Sequence, residues 1–186
     1  MTLRVLKKLP AKLDHLVAVN EFRIHVAIAC RDGGHYALER FETDADLAAE
    51  RHVALLDLLP DAKVAIRSKA TGDVHQFFVE VDLGTEAVTY VVRRKLAVYA
   101  KHAVLSSVLY GLRDPLVVLV VPGLRRARNI ARTIAAMRVQ ARVVLAVASM
   151  LSEGNVLAGA YALPGDLVAA PPDADARAIF TRRLLP

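Results

Sequence analysis

The stretch "HQFFVEVDLGTEAVTYVVRRKLAVYA", residues 75–100, changes period halfway along. Its first half alternates as a β-strand does, so successive side chains point to opposite faces. Phe78, Glu80 and Asp82 then share one face, and Phe77, Val79 and Val81 share the other. "DLGT" supplies the Asp and Gly of a turn. Beyond it, Val88, Val91, Val92, Leu96 and Tyr99 recur at spacings of three and four, which predicts a helix over 86–104 capped by Thr85 or a neighbour. Lys95 falls inside that apolar stripe. A strand that ends in acids and leads into a helix carrying a lysine sets the fold class and raises the question of function.

Working outward, "AKVAIRSKA", the turn "TGD" and "VHQFFVEVD" predict a β-hairpin. Residues 11–31 predict a helix whose apolar face is built from Leu13, Leu16, Val17, Val19, Ile24 and Val26 to Ala29, stopped by Gly33-Gly34. "HYALERFE" follows as a short strand, and "DADLAAERHVALLDLL" has helical spacing, or is partly loop, up to Pro60. "PLVVLVV" and "ARVVLAVAS" read as strands buried on both faces, with the helix "GLRRARNIARTIAAMRV" between them. The predicted fold is α/β, a mixed central sheet flanked by helices. One domain is expected over residues 1–186, with a core of about 11–150 and a loop-rich extension over 151–186.

Bulk properties narrow the function. No apolar run approaches the roughly 20 residues that cross a bilayer. The amino terminus is basic without an apolar h-region, and Cys30 is the one cysteine, which together suggest a cytoplasmic setting without an intramolecular disulfide. Cys30 itself reads as a small core residue. The net charge of +6 suits an anionic partner such as DNA. Arg125, Arg128 and Arg132 share one face of the arginine-rich helix and are the candidate phosphate contacts, unless that face is merely solvated. The histidines have no HxxxH spacing, no GxGxxG or Walker A sequence occurs, and Ser106-Ser107 lacks a nucleophile elbow.

The carboxylates carry the chemistry. If the hairpin turns near Thr71-Gly72, residues whose numbers sum to about 143 face each other. Asp61 then lies opposite Asp82 and diagonal to Glu80, about 5–8 Å away at Cβ. In water each like-charge pair costs about 1 kcal/mol, and more where solvent is excluded. A divalent cation such as Mg²⁺ or Mn²⁺ would relieve that repulsion, with Asp61, Glu80 and Asp82 as ligands. The plainer reading leaves Asp61 and Asp82 as turn acids, but Glu80 lies inside the strand. Lys95 either snorkels to the rim or reaches the acids, where its ammonium could orient water or stabilise a developing oxyanion.

"PDA" (Pro60 to Ala62), "EVDLGTE" (Glu80 to Glu86) and "KLAVY" (Lys95 to Tyr99), with the leading "HLVAVNEFRI" (His15 to Ile24), resemble the replication-relaxation family of plasmid and mobile-element proteins. The resemblance spans about residues 13–104. It implies a restriction-endonuclease-like PD-(D/E)XK core and a role in plasmid replication or DNA relaxation, together with replication or mobilisation partners. In such a core Asp61 and Glu80 would hold the metal, and Lys95 would position water or steady the charge on phosphorus. Asp82 stands where the nuclease motif has lysine, so it would be an extra ligand or would orient Lys95. Glu21 and His15 are weaker candidates for the site, and Tyr99 is a poor nucleophile because helical spacing buries it. Three functions follow: a metal-dependent endonuclease or nickase, a non-catalytic DNA-binding or assembly module on the same fold, or a structural protein with an internal ion-pair network. An edge strand or the apolar tail could also mediate a homodimer.

Overall fold

Continuous Val and Leu runs end up where backbone pairing is available on both sides. In the computed structural model, which describes residues 10–49, 59–101 and 115–185, five strands form one mixed sheet in the order β1-β2-β3-β4-β5. These are β1 (Tyr36–Thr43), β2 (Ala62–Ser68), β3 (Val74–Val81), β4 (Leu116–Val121) and β5 (Val143–Val147). The first three pair antiparallel. The pairs β3–β4 and β4–β5 are parallel, as expected for strands joined through crossover helices. Every residue of β5 and all but the first of β4 are buried, which is why these strands lack polar alternation.

Helices cover both faces. On one side, α1 (Pro10–Asp32) lays Val19, Phe22, Val26 and Cys30 against Val64, Phe77, Val79 and Val118. On the other lie α2 (Asp44–Ala48), α3 (Val88–Tyr90), a π-helical turn (Val91–Leu96), α4 (Ala97–Lys101) and α5 (Leu124–Met137). There Val91, Val92, Leu96, Tyr99, Ile130 and Ile134 pack on Phe78 and Leu119. Residues 151–185 include the short helices α6 (Pro164–Ala169) and α7 (Ala176–Ile179). They supply Tyr161 and Leu184 to the first layer, and Leu167 and Phe180 to the second. Single bridges join Leu145 to Ala162 and Tyr161 to Arg182.

Several local expectations need correction. The hairpin register is shifted by two residues from that expected. Ala62 faces Val79 and Arg67 faces Val74, so paired numbers sum to 141 and Asp61 comes level with Glu80, not Asp82. The turn is set by Gly72 at φ 79°, whose N–H donates to Ser68 O at 2.9 Å. The helix after β3 starts at Val88 behind Ala87, with no side-chain cap from Thr85. The predicted face of α1 is split: Val19 and Val26 enter the core, whereas Leu13, Leu16, Val17 and Ile24 are each about half exposed. Phe22 and Cys30 complete the inner stripe, and apolar residues on both sides of the helix hid which side packs. Thr43 caps α2 in a capping box with Asp46. The helical spacing expected beyond it, over 50–58, and the last residues of the 86–104 helix lie outside the described residues. No helix among the described residues is long and apolar enough to cross a membrane.

Leu119 sits at the middle of the sheet with no exposure. Leu119→Ala should destabilise the fold by about 2–5 kcal/mol, measured as a lower urea midpoint at unchanged slope.

Candidate functional site

Glu80 is the penultimate residue of β3 and points into the layer formed by the π turn and α4. Its side chain is 1% exposed. A carboxylate that far from water needs donors for both oxygens, and two are supplied from one helix. Lys95 Nζ donates to Oε2 at 2.8 Å, and Tyr99 OH donates to Oε1 at 2.6 Å. The Tyr99 ring is fixed by Phe78, with centroids 5.3 Å apart. Lys95 belongs to the π turn, a wider helical turn that recurs at functional sites. That turn places Arg93 and Arg94 outward and Lys95 at the sheet, between buried Val91, Val92 and Leu96.

Asp61 lies just before β2. Its Oδ2 accepts the Val81 N–H at 2.7 Å, and its Oδ1 lies 3.0 Å from His15 Nε2 of α1. Asp61, Glu80, Lys95 and His15 therefore converge at the end of the sheet where β3 finishes. The hydrogen bond and charge of Asp61 raise the His15 pKa against the opposing effect of burial. Burial, reinforced by the Asp61 charge, pushes the Glu80 carboxyl up to about 7 against the pull of Lys95 and Tyr99. Burial alone would lower the Lys95 pKa, but Glu80 and Asp61 outweigh it and keep the ammonium protonated.

Asp82 departs from the expected cluster. It shares the Glu80 face of the strand, but Arg126 of α5 grips its carboxylate in a fork, with Nε to Oδ2 at 2.6 Å and Nη2 to Oδ1 at 3.0 Å. Asp82 Oδ1 also accepts the Gly84 N–H at 2.8 Å. Arg126 Nη2 donates further to Glu86 O at 2.6 Å, tying down the loop 82–86. Gly84 has φ 80°, and a Cβ there would lie 3.3 Å from Pro122 Cγ, so this loop needs glycine. The reason for the rearrangement is charge: a desolvated carboxylate beside a guanidinium takes the bidentate pair before any shared arrangement with other acids. Among the described residues, no three His, Cys, Asp or Glu side chains form a group able to hold a metal.

Sequence reasoning missed Arg126 and the bond from Tyr99 to Glu80. The one hint for Arg126 was its position in "LRRAR", beside the apolar stripe of a helix without acids. Arg128, expected on an exposed basic face, is instead buried at 9% exposure. It donates to the carbonyls of Pro171 and Pro172, so the tail takes its charge. Arg125 and Arg132 are exposed. Glu21 does not line the main cleft but borders a separate space of about 90 Å³ near Phe22 and His25.

The cleft over the site has a volume of about 840 Å³. Five carboxylates reach its lining, from Asp14, Asp44, Asp61, Asp82 and Glu86, against Lys95 and His15. Fold and site thus define a mixed α/β protein with a carboxylate–lysine cleft at the end of its central strand. Residues 4–107, more than half of the chain, match the family model of replication-relaxation proteins, and the chain belongs to that family. Membership connects it with DNA in the replication of plasmids and mobile elements. Asp61, Glu80, Lys95 and Tyr99 fall inside the matched span, and Arg126 falls outside it. No curated protein and no solved structure gives a significant match.

The two raised pKa values act together on stability. Between the ordinary Glu value and about 7, the folded state binds a proton at Glu80 more tightly than the unfolded chain does. The His15 contribution is likewise complete below the ordinary His value and lost above its raised one. Stability due to this site should therefore rise as pH falls from about 8 toward about 5. Chemical denaturation across that range should show the slope, and Glu80→Gln should flatten it.

Proposed function

We propose that the protein is a divalent-cation-dependent phosphodiester hydrolase, an endonuclease or nickase acting on DNA in plasmid or mobile-element replication. The observation that carries this reading is Lys95, which lines an acidic cleft together with Asp61 and is held at 2.8 Å by Glu80 buried behind it. The order helix, three strands, helix, strand supports a nuclease-like PD-(D/E)XK core for it. A cleft lined by five carboxylates repels a phosphodiester unless a cation intervenes.

Asp61 and Glu80 are the residues that would hold such a cation. Mg²⁺ typically takes one or two carboxylates, keeps several waters and shares the substrate's phosphate. Asp61 and Glu80 supply the carboxylates, and each of their oxygens retains acceptor capacity beyond its present hydrogen bond. Bound there, Mg²⁺ or Mn²⁺ would polarise the phosphodiester and lower the pKa of a coordinated water. Lys95 holds the Glu80 carboxylate in place and offers an ammonium to the charge that develops on phosphorus as water adds. Arg126 fixes Asp82 and the loop wall, so Asp82 shapes the cleft. With two carboxylates available, the ion needs the DNA phosphate as a further ligand, so metal and DNA should bind cooperatively.

A second reading is a non-catalytic DNA-binding or assembly module. It is favoured by the internal partners already held by every oxygen of Asp61 and Glu80. Supercoiled plasmid incubated with Mg²⁺ or Mn²⁺ separates the two. Hydrolysis predicts nicked or linear product that chelator abolishes and that Asp61→Asn, Glu80→Ala and Lys95→Ala each reduce by at least about 100-fold. Cleavage unchanged in these variants would remove the assigned roles, and salt-dependent binding without cleavage would favour the second reading.

A further inference from the structure

The helices that follow β3 and β4 carry no acid along their described length. From Ala87 to Lys101 and from Leu116 to Arg142 the chain contains ten Lys and Arg residues and not one Asp or Glu. Packing divides those cations. Lys95, Arg126 and Arg128 turn inward or sideways to Glu80, to Asp82 and to the Pro171 and Pro172 carbonyls. Arg93, Arg94, Lys101, Arg125 and Arg132 are left exposed, without an ion pair among the described residues. The π turn is the divider, because in "RRK" it sends two arginines to the surface and the lysine to the cleft. On α5, Arg125 and Arg132 lie seven residues apart, two turns along the same exposed crest. The π turn, α3 and α5 pack side by side on the same face of the sheet, so both sets of cations project from one layer.

We infer that the outer surface of this layer is a docking surface for the backbone of duplex DNA, formed by Arg93, Arg94 and Lys101 on one helix and Arg125 and Arg132 on the next. This rests on the DNA-acting reading above and deepens it by separating binding from chemistry. The cleft is acidic and cannot gather a polyanion by itself, whereas the layer beside it can. Charge complementarity selects the partner. A run of phosphates matches exposed cations that hold no ion pair among the described residues, and guanidinium groups suit phosphate geometry. Contacts of this kind position DNA without reading its bases. DNA held by Arg93 and Arg94 lies against the same helical turn that lends Lys95 to the cleft.

The test is fluorescence anisotropy with a labelled duplex at a series of salt concentrations, in chelator so that cleavage plays no part. Each phosphate contact contributes roughly 0.9 to the slope of log affinity against log salt. The combined Arg93→Ala, Arg94→Ala, Arg125→Ala and Arg132→Ala variant should therefore lower the magnitude of that slope by about 3.6. The control is Arg31→Ala with Arg40→Ala, two exposed arginines on α1 and β1, which should leave the slope unchanged. Losses in proportion to the charges removed, so that the control loses about half as much as the combined variant, would mean diffuse attraction by net charge and would overturn the inference. A combined variant that binds DNA as the wild type does would overturn it too, while leaving the cleft reading intact. Wild-type protein that fails to bind duplex at low salt but binds anionic vesicles would overturn both the surface and the DNA-acting reading. Unchanged thermal melts of the combined variant exclude unfolding as the cause of lost binding.

Discussion

A carboxylate with 1% exposure at the end of a central strand constrains everything around it. Glu80 cannot keep its charge there without donors, and hydration is not available. The chain answers with a lysine and a tyrosine four residues apart on one helix, both reaching the same side chain. That requirement fixes how the helix after β3 lies over the sheet. The π turn falls where Lys95 reaches inward among valines. The hydrophobic contacts of Val91, Val92 and Leu96 with Phe78 and Leu119 supply the adhesion, and the buried ion pair supplies the register.

The same logic operates a few residues further on. Asp82 leaves the strand almost as deeply buried and is matched by Arg126, which lies 44 residues away in the chain. Each acid at the end of β3 thus belongs to a different helix of the layer, Glu80 to the one following the strand and Asp82 to α5. These two polar links cross an otherwise apolar seam. Misplaced partners would leave buried charges alone, so these links disfavour other placements of the two helices.

Much of this was legible in the sequence, for physical reasons that can be named. β4 and β5 show as unbroken Val and Leu runs because both of their faces are covered. Lys95 stood out because a cation inside an apolar stripe needs a partner, and the paired acids of "EVD" lay one short turn away. The hairpin register was misjudged by two residues because composition gives the presence of a turn but not the number of residues it takes up. The packed side of α1 was ambiguous because Leu13, Leu16, Val17 and Ile24 are as apolar as the residues that enter the core. Which arginine of "LRRAR" would meet an acid, and which would meet the tail carbonyls, depends on the roll of α5 against the sheet. Periodicity does not encode that roll.

The margins of the sheet carry a last consequence. At one side, the segment around Ala162 bridges to Leu145 and occupies the outer rim of β5. At the other, β1 breaks register between Leu38 and Arg40 and studs its rim with Glu39, Arg40 and Glu42. A kinked, charged border and a plugged one both resist the addition of a foreign strand. The described margins of the sheet therefore disfavour strand-to-strand addition between copies of the protein.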